Sequence, residues 1–279
     1  MPPIARLQFS DSEHHADMVY ATGLFVPDPF LWCQVGEERA VVVSPLEFGR
    51  FTAQAPRGTR VLSYDQAKTL CRLRDFRASS QILGVSRLFD VKRWEVPADF
   101  PLGLARQVAR RGVSLVPASG AFFPEREFKQ AREIELVREG VRLAEAGLQR
   151  ALEILAAASI KGDSLIWEGT PLTVERLRGE MDATVCRRGG QASHTICAPG
   201  PQGADPHQGG FGPIAPHQPI VLDIFPRVSA SGYFGDLTRT VVKGQASPIV
   251  RQAWEAVRAA RDAAKAMIRP GVNGKAVHE

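Results

Sequence analysis

Asp223 and Asp236 stand in two apolar, strand-like runs, Val221-Leu222-Asp223-Ile224-Phe225-Pro226 and Tyr233-Phe234-Gly235-Asp236-Leu237-Thr238-Arg239-Thr240. An ionised carboxylate in a half-buried strand has to be paired, hydrogen-bonded or bound to a metal, because desolvation otherwise neutralises it. The two positions lie symmetrically about Ser229-Ala230. A hairpin turning there places them opposite one another, with Cβ atoms about 4.5–5.5 Å apart. Like charges at that distance repel, and a divalent cation between them removes the conflict. A bulge at Gly232 would shift the register, and a shift that keeps the common face keeps the carboxylates near one another. The alternative is structural: one aspartate caps a turn while the other pairs with Arg239 or Arg227.

A second chemical candidate is His207, in a Gly/Pro-rich loop over residues 198–219 that also holds His217. The loop is too long for a plain connector, which makes it a candidate functional loop. The bland reading of His207 is a loop histidine facing water. His194 and His217 read as surface or packing residues. Cys33, Cys71, Cys186 and Cys197 form neither a C-x-x-C pair nor a Cys/His zinc spacing, so reduced and mostly buried thiols are expected.

The elements that must hold these residues follow from periodicity. From Lys129, apolar residues at Ile134, Val137, Val141, Ala144, Leu148, Leu152 and Leu155 recur at spacings of three and four, which predicts one long amphipathic helix. Thr173 reads as the N-cap of a second helix with Val174, Leu177, Met181 and Val185 on one face, stopping at Gly189-Gly190 after Arg187-Arg188. Ser247-Pro248 opens a third helix, with Ile249, Ala253, Trp254, Val257, Ala264 and Ile268 on an apolar side and Pro270-Gly271 as its stop. Residues 272–279 look like the first turn of another helix.

Residues 1–125 alternate strand-like and helix-like pieces: an apolar run over 17–25, buried-strand candidates at 40–43 and 113–116, and helical patterns over 64–73 and 100–111. That alternation predicts a small α/β domain, with a linker over 117–127 punctuated by Pro117, Gly120 and Pro124. A second domain then covers 126–279.

The 279 residues, 44% hydrophobic and 23% charged, are those of an ordinary globular protein of about two domains. The net charge of +5 is spread over single and paired basic residues such as Arg110-Arg111, with no basic stripe interleaved with aromatics, so no nucleic-acid partner is expected. No run approaches the ~18 apolar residues of a membrane span and the N-terminus has no secretory core, which reads as a cytoplasmic protein.

Taken together, the order and wording of these segments resemble the creatinase/aminopeptidase P/prolidase family, the pita-bread metallopeptidases. Residues 127–139 look like the start of the catalytic-domain helix. Ala198-Pro199-Gly200 through Pro206-His207 looks like the family's loop ending in Pro-His. Asp223 followed by Gly232 to Thr240 is similar to its paired metal aspartates and Asp-x-Thr-Arg-Thr segment, and Pro270-Gly271-Val272 to a later turn. The resemblance implies an α/β fold: a small N-terminal creatinase-like α/β domain over 1–125, then an α+β pita-bread domain over 126–279, which ends before the family's later segments. It implies two divalent metal ions, Mn2+ first with Zn2+ or Co2+ next, with Asp223 on one metal and Asp236 bridging both. It also implies His207 as a hydrogen-bond donor to the substrate carbonyl, a peptide substrate with proline in second position, and a homodimer.

Two departures qualify this. Phe225 stands where many members have glycine, a bulkier wall beside the first metal. The family's remaining ligands, one His and two Glu, come from segments beyond residue 279, so the expectation is a chain that lacks them and leaves Val221, Ile224 and Val241 on an unfinished sheet. The competing expectation is a non-catalytic module that binds peptides or proteins on the same fold. A creatinase-type enzyme, with histidines where the peptidases use metals, is disfavoured by the presence of both aspartates.

Overall fold

A computed structural model describes residues 5–279 of the chain. They form two compact units, residues 5–135 with 230–232, and residues 136–229 with 233–279.

The first unit contains β1 (Ala5–Ser10), α1 (Ala16–Thr22), β2 (Phe30–Val35), β3 (Glu38–Val43), α2 (Pro45–Gln54), β4 (Thr59–Ser63), α3 (Tyr64–Leu70), α4 (Ala78–Leu88), β5 (Arg93–Val96), α5 (Leu102–Ala109) and β6 (Ser114–Pro117). Its six strands form one mixed sheet in the order β4-β3-β2-β1-β5-β6. β1, β2 and β3 run antiparallel, while β4, β5 and β6 join by parallel pairing. Both faces of the central strands are covered. Leu31, Cys33, Ala40 and Val42 enter one core cluster, and Phe30, Trp32, Val41 and Val43 enter another. Double burial explains the unbroken Ala40-Val41-Val42-Val43 run, since a strand with no solvent face has no polar alternation. The apolar run from residue 17 is helical, with its buried Met18 and Val19 on α1. Phe122 and Phe123, inside the stretch that reads as a linker, are buried edge-on against Trp32.

The second unit is organised by the long helix α6 (Ala131–Ala157), a three-stranded ribbon β7 (Ser159–Lys161), β8 (Ser164–Trp167) and β9 (Thr170–Pro171), and the helix α7 (Val174–Arg187). α7 matches the expectation in detail. Thr173 accepts a hydrogen bond from the Arg176 N–H, and Val174, Leu177, Met181 and Val185 are all buried, each worth roughly 1.5–3 kcal/mol. α6 departs from it. Its buried residues are Gly140, Leu143, Ala144, Ala146, Gly147, Ala151, Ile154 and Leu155, while Ile134, Val137 and Leu152 are exposed. The packed stripe runs through small residues that a hydrophobic count passes over, because α6 comes close to its neighbours there.

Beyond α7 come β10 (Gly190–Gln191), β11 (Ile196–Pro199), β12 (Pro219–Ile224), β13 (Arg227–Val228), β14 (Leu237–Val242), α8 (Pro248–Met267) and α9 (Gly274–His278). β11-β12-β14 form an antiparallel sheet with β12 in the centre. Ile220, Leu222 and Ile224 on β12 pack with Cys197 against α6 and α7. Ile224 is thus fully buried against the helices, whereas Val221 and Val241 are half-buried, and β11 and β14 are the sheet edges. Ser247 caps α8 by accepting from the Val250 N–H, yet α8 buries no residue and leaves Ile249, Trp254 and Val257 exposed. No helix among the described residues is long and apolar enough to cross a membrane.

Candidate functional site

The hairpin that carries the two aspartates keeps a single register along its length. Asp223 pairs with Thr238, Ile224 with Leu237 and Arg227 with Phe234, and the Gly235 N–H donates to the Pro226 carbonyl at 3.0 Å. The Val228 N–H donates to the Tyr233 carbonyl at 2.8 Å, so the reversal lies over residues 229–232, with Gly232 left-handed at φ 74°. No bulge intervenes. The turn is centred one residue later than the symmetry of the aspartates suggests, which moves the pairing by two residues. Thr238, and not Asp236, therefore stands opposite Asp223.

A two-residue shift preserves the face. Gly235, Leu237 and Val241 point toward the helices, Gly235 against α6 and the other two in the core cluster, so Asp236, Thr238 and Thr240 point the other way with Asp223. The carboxylates are diagonal neighbours on the open face of the sheet, a relation that sets Cα atoms about 7–8 Å apart. Their environments differ. Asp223 is half-buried, and its Oδ1 accepts a 2.5 Å hydrogen bond from the Thr238 hydroxyl. Asp236 is exposed, just before β14, and not held in an apolar strand as its sequence context suggests. Neither forms an ion pair among the described residues. The Arg239 guanidinium donates to the Thr238 carbonyl instead.

The backbone before Asp236 is set by glycine against glycine. A Cβ on Gly235 would lie 2.1 Å from the Gly140 carbonyl carbon, and one on Gly140 would lie 2.4 Å from the Gly235 nitrogen. Only a pair of glycines lets α6 touch the hairpin at this point. The sequence signal was a glycine inside a strong helical pattern, away from either cap.

His207 is exposed, on the loop that follows β11 and a 3-10 turn at Gly200–Ala204. Its N–H donates to Asp205 Oδ1 at 3.1 Å, and among the described residues no hydrogen bond joins its ring to either aspartate. The loop itself is firmly attached. Arg178 Nη1 donates to the Gly209 carbonyl at 2.7 Å, and the Cys197 N–H to the same oxygen at 3.2 Å. Glu175 accepts from the Gly212 N–H at 2.9 Å, and that bond holds its carboxyl below the usual carboxylate range. Gln202 exchanges two hydrogen bonds with the Phe211 backbone. None of these anchors stands out in the sequence, since each is an ordinary polar residue whose partner is a distant backbone atom. His194 is exposed and left-handed at φ 57°. His217 is exposed but held in place: its Nδ1 accepts from the Gln245 N–H and its ring lies against Gly244.

As metal donors the two carboxylates are of the right chemistry, being hard oxygens of the kind manganese prefers. Among the described residues, one oxygen of Asp223 and both of Asp236 have no protein partner. Among the described residues, however, no group of three or more His, Cys, Asp or Glu side chains could hold a metal ion, so the donor set described is a pair.

The family model for metallopeptidase family M24 matches residues 135–279. The crystal structure of the X-Pro aminopeptidase from Thermotoga maritima MSB8 aligns with a TM-score of 0.78 at 18% identity, covering 99% of this chain and 72% of that one. The prolidase from Pyrococcus horikoshii OT3 aligns at 0.74 and 17% identity, covering 99% and 71%, and the Xaa-Pro dipeptidase from Bacillus anthracis at 0.74 and 15%, covering 99% and 70%. At these identities the likeness is one of fold, the mixed α/β architecture of the pita-bread peptidases. No curated protein sequence matches the chain at a significant level.

Proposed function

The chain belongs to metallopeptidase family M24, and on that premise we propose that it serves as an Xaa-Pro peptidase, hydrolysing the bond between an N-terminal residue and a following proline. The observation that carries this reading is the pair Asp223 and Asp236, two carboxylates on one face of a hairpin of fixed register. In this reading they are the carboxylate ligands of two divalent ions, Mn2+ first and Zn2+ or Co2+ next. Such ions, when bound, supply a water acidic enough to ionise near neutrality and a Lewis acid for the scissile carbonyl.

The protein's own groups have distinct tasks. Thr238 fixes which oxygen of Asp223 remains free, by donating to the other. Gly140 and Gly235 fix the backbone that presents Asp236. His207, on its anchored loop, donates a hydrogen bond to the substrate carbonyl as negative charge develops there. Phe225, in register with Asp236, forms an apolar wall beside the first carboxylate. Three buried free cysteines fit a reducing compartment, which supports a cytoplasmic setting, and a homodimer completes the reading.

One observation favours a second reading, a non-catalytic peptide-binding module: the described residues contain no group of three metal-ligating side chains. Both are tested by incubating the full reading frame that contains these residues with Mn2+ and a series of peptides. The peptidase reading expects release of the N-terminal residue from peptides with proline second and none from an all-alanine peptide. Equal cleavage of both would refute the proline assignment, and peptide binding without cleavage would establish the second reading.

A further inference from the structure

The first unit carries a cleft of about 570 Å³ lined by Arg72, Arg74, Ser80, Leu83, Arg87 and Arg111. The four arginines come from three separate segments: the turn between α3 and α4, the last turn of α4, and the residues following α5. Arg87 Nη2 donates to the carbonyls of Cys71 at 2.8 Å and Arg72 at 3.2 Å, so one guanidinium is tied to the wall. Arg72 is left-handed at φ 52°, a backbone state that an arginine adopts only at a cost. The side chains of Arg72, Arg74 and Arg111 make no ion pair or hydrogen bond among the described residues.

The acid nearest in sequence is already committed. Asp75 accepts from the Ser80 side chain and from the Arg77 N–H, lies 3.8 Å from Arg77 Nε, and offsets only part of the charge of Arg111, with which it forms no ion pair among the described residues. Helix-end placement accounts for Arg87 and Arg111, which sit near the C-termini of α4 and α5 where cations are favoured. It does not account for Arg72 and Arg74, which add like charge to the same mouth. Like charges gathered on one concavity repel, and an anion in the cleft relieves that repulsion.

The planar guanidinium fork pairs two N–H donors with two oxygens, which suits phosphate. A cleft of this size is within the range of small-ligand pockets and is larger than one phosphate needs. We propose that the cleft binds a small ligand bearing at least two phosphate groups. The site stands apart from the metallopeptidase reading and does not depend on it.

Titration calorimetry with inorganic tripolyphosphate, at an ionic strength held constant with sodium chloride, tests this. The expected result is one tripolyphosphate per chain, with affinity lowered about tenfold or more in Arg74→Ala/Arg111→Ala and unchanged in the control Arg57→Ala/Arg93→Ala, whose arginines are exposed elsewhere on the surface. Arg72 and Arg87 are left in place, because one holds a strained turn and the other is bonded to it. If the double alanine variant melts below the wild type, Arg74→Lys/Arg111→Lys replaces it, keeping the charge and removing the fork, with a smaller loss expected. Equal affinity in the cleft variants and the wild type, or an equal loss in the control, overturns the proposal. So does tighter binding of a DNA duplex than of tripolyphosphate, with the same dependence on Arg74 and Arg111, which would make the cleft a nucleic-acid contact.

Discussion

Thr238 decides how Asp223 can act. Its hydroxyl holds Oδ1 at 2.5 Å and leaves the other oxygen open, as the partner of a metal-binding carboxylate commonly does. Thr238→Val keeps the strand and removes the donor, and we expect Mn2+-dependent catalytic efficiency to fall about 10–100-fold while Thr238→Ser retains most of it. Equal rates for Val and wild type would show that the bond has no bearing on catalysis. A second residue-scale expectation concerns the thiols. Burial pushes the Cys197 thiol up to about 12, and raises those of Cys33 and Cys71, so none is a thiolate near neutrality. Iodoacetamide at about pH 8 is expected to label the exposed Cys186 and spare the other three, because the thiolate is the nucleophile. Labelling of Cys197 as fast as Cys186 would contradict the packing of β11. The buried state of most thiols and the common face of the aspartates were legible from residue types and spacing. The Asp223–Thr238 pairing was not, because it depends on where the turn falls, and residues 229–232 have no strong two-residue turn signal to fix that.

At the scale of elements, α6 shows how a helix can be legible while its packed face is not. Its period marks the helix, but the face that packs runs through Gly140 and Gly147, which carry no hydrophobic signal. A methyl group at residue 140 meets backbone atoms of Phe234 and Gly235 that cannot turn aside. Gly140→Ala is therefore expected to lower stability by about 1–3 kcal/mol. Gly179→Ala, in α7 with nothing within 4 Å of the added carbon, is expected to raise it by about 0.5–1 kcal/mol. Urea midpoints measure both, and a neutral Gly140→Ala would contradict the close crossing of α6 and the hairpin. α7 was read correctly because its signals are local: a threonine cap, a run of spaced apolar residues and a terminal glycine. α1, by contrast, is so short that its periodicity cannot be told from a strand's.

For the whole molecule, the α/β class and the M24 family could be reached from composition, element order and a few sequence words, while most strands of the first unit could not. β2 is covered on both faces and so lacks polar alternation, whereas β1 and β5 do alternate, as in Leu7-Gln8-Phe9-Ser10 and Arg93-Trp94-Glu95-Val96, but over too few residues for the pattern to stand out, and β4 is equally short. A single hairpin, β12 paired with β14 and held against α6 by the glycine contact, presents both carboxylates on the same face. The central claim is that this pair makes the protein a metal-dependent peptidase. The most direct test is Mn2+-dependent hydrolysis of an Xaa-Pro peptide by the full reading frame, comparing wild type with Asp223→Asn and Asp236→Asn, each confirmed to be folded by circular dichroism. The account predicts activity that chelation abolishes and metal restores, and a loss of about 100-fold or more in each variant. Metal-dependent hydrolysis that survives either substitution would contradict it.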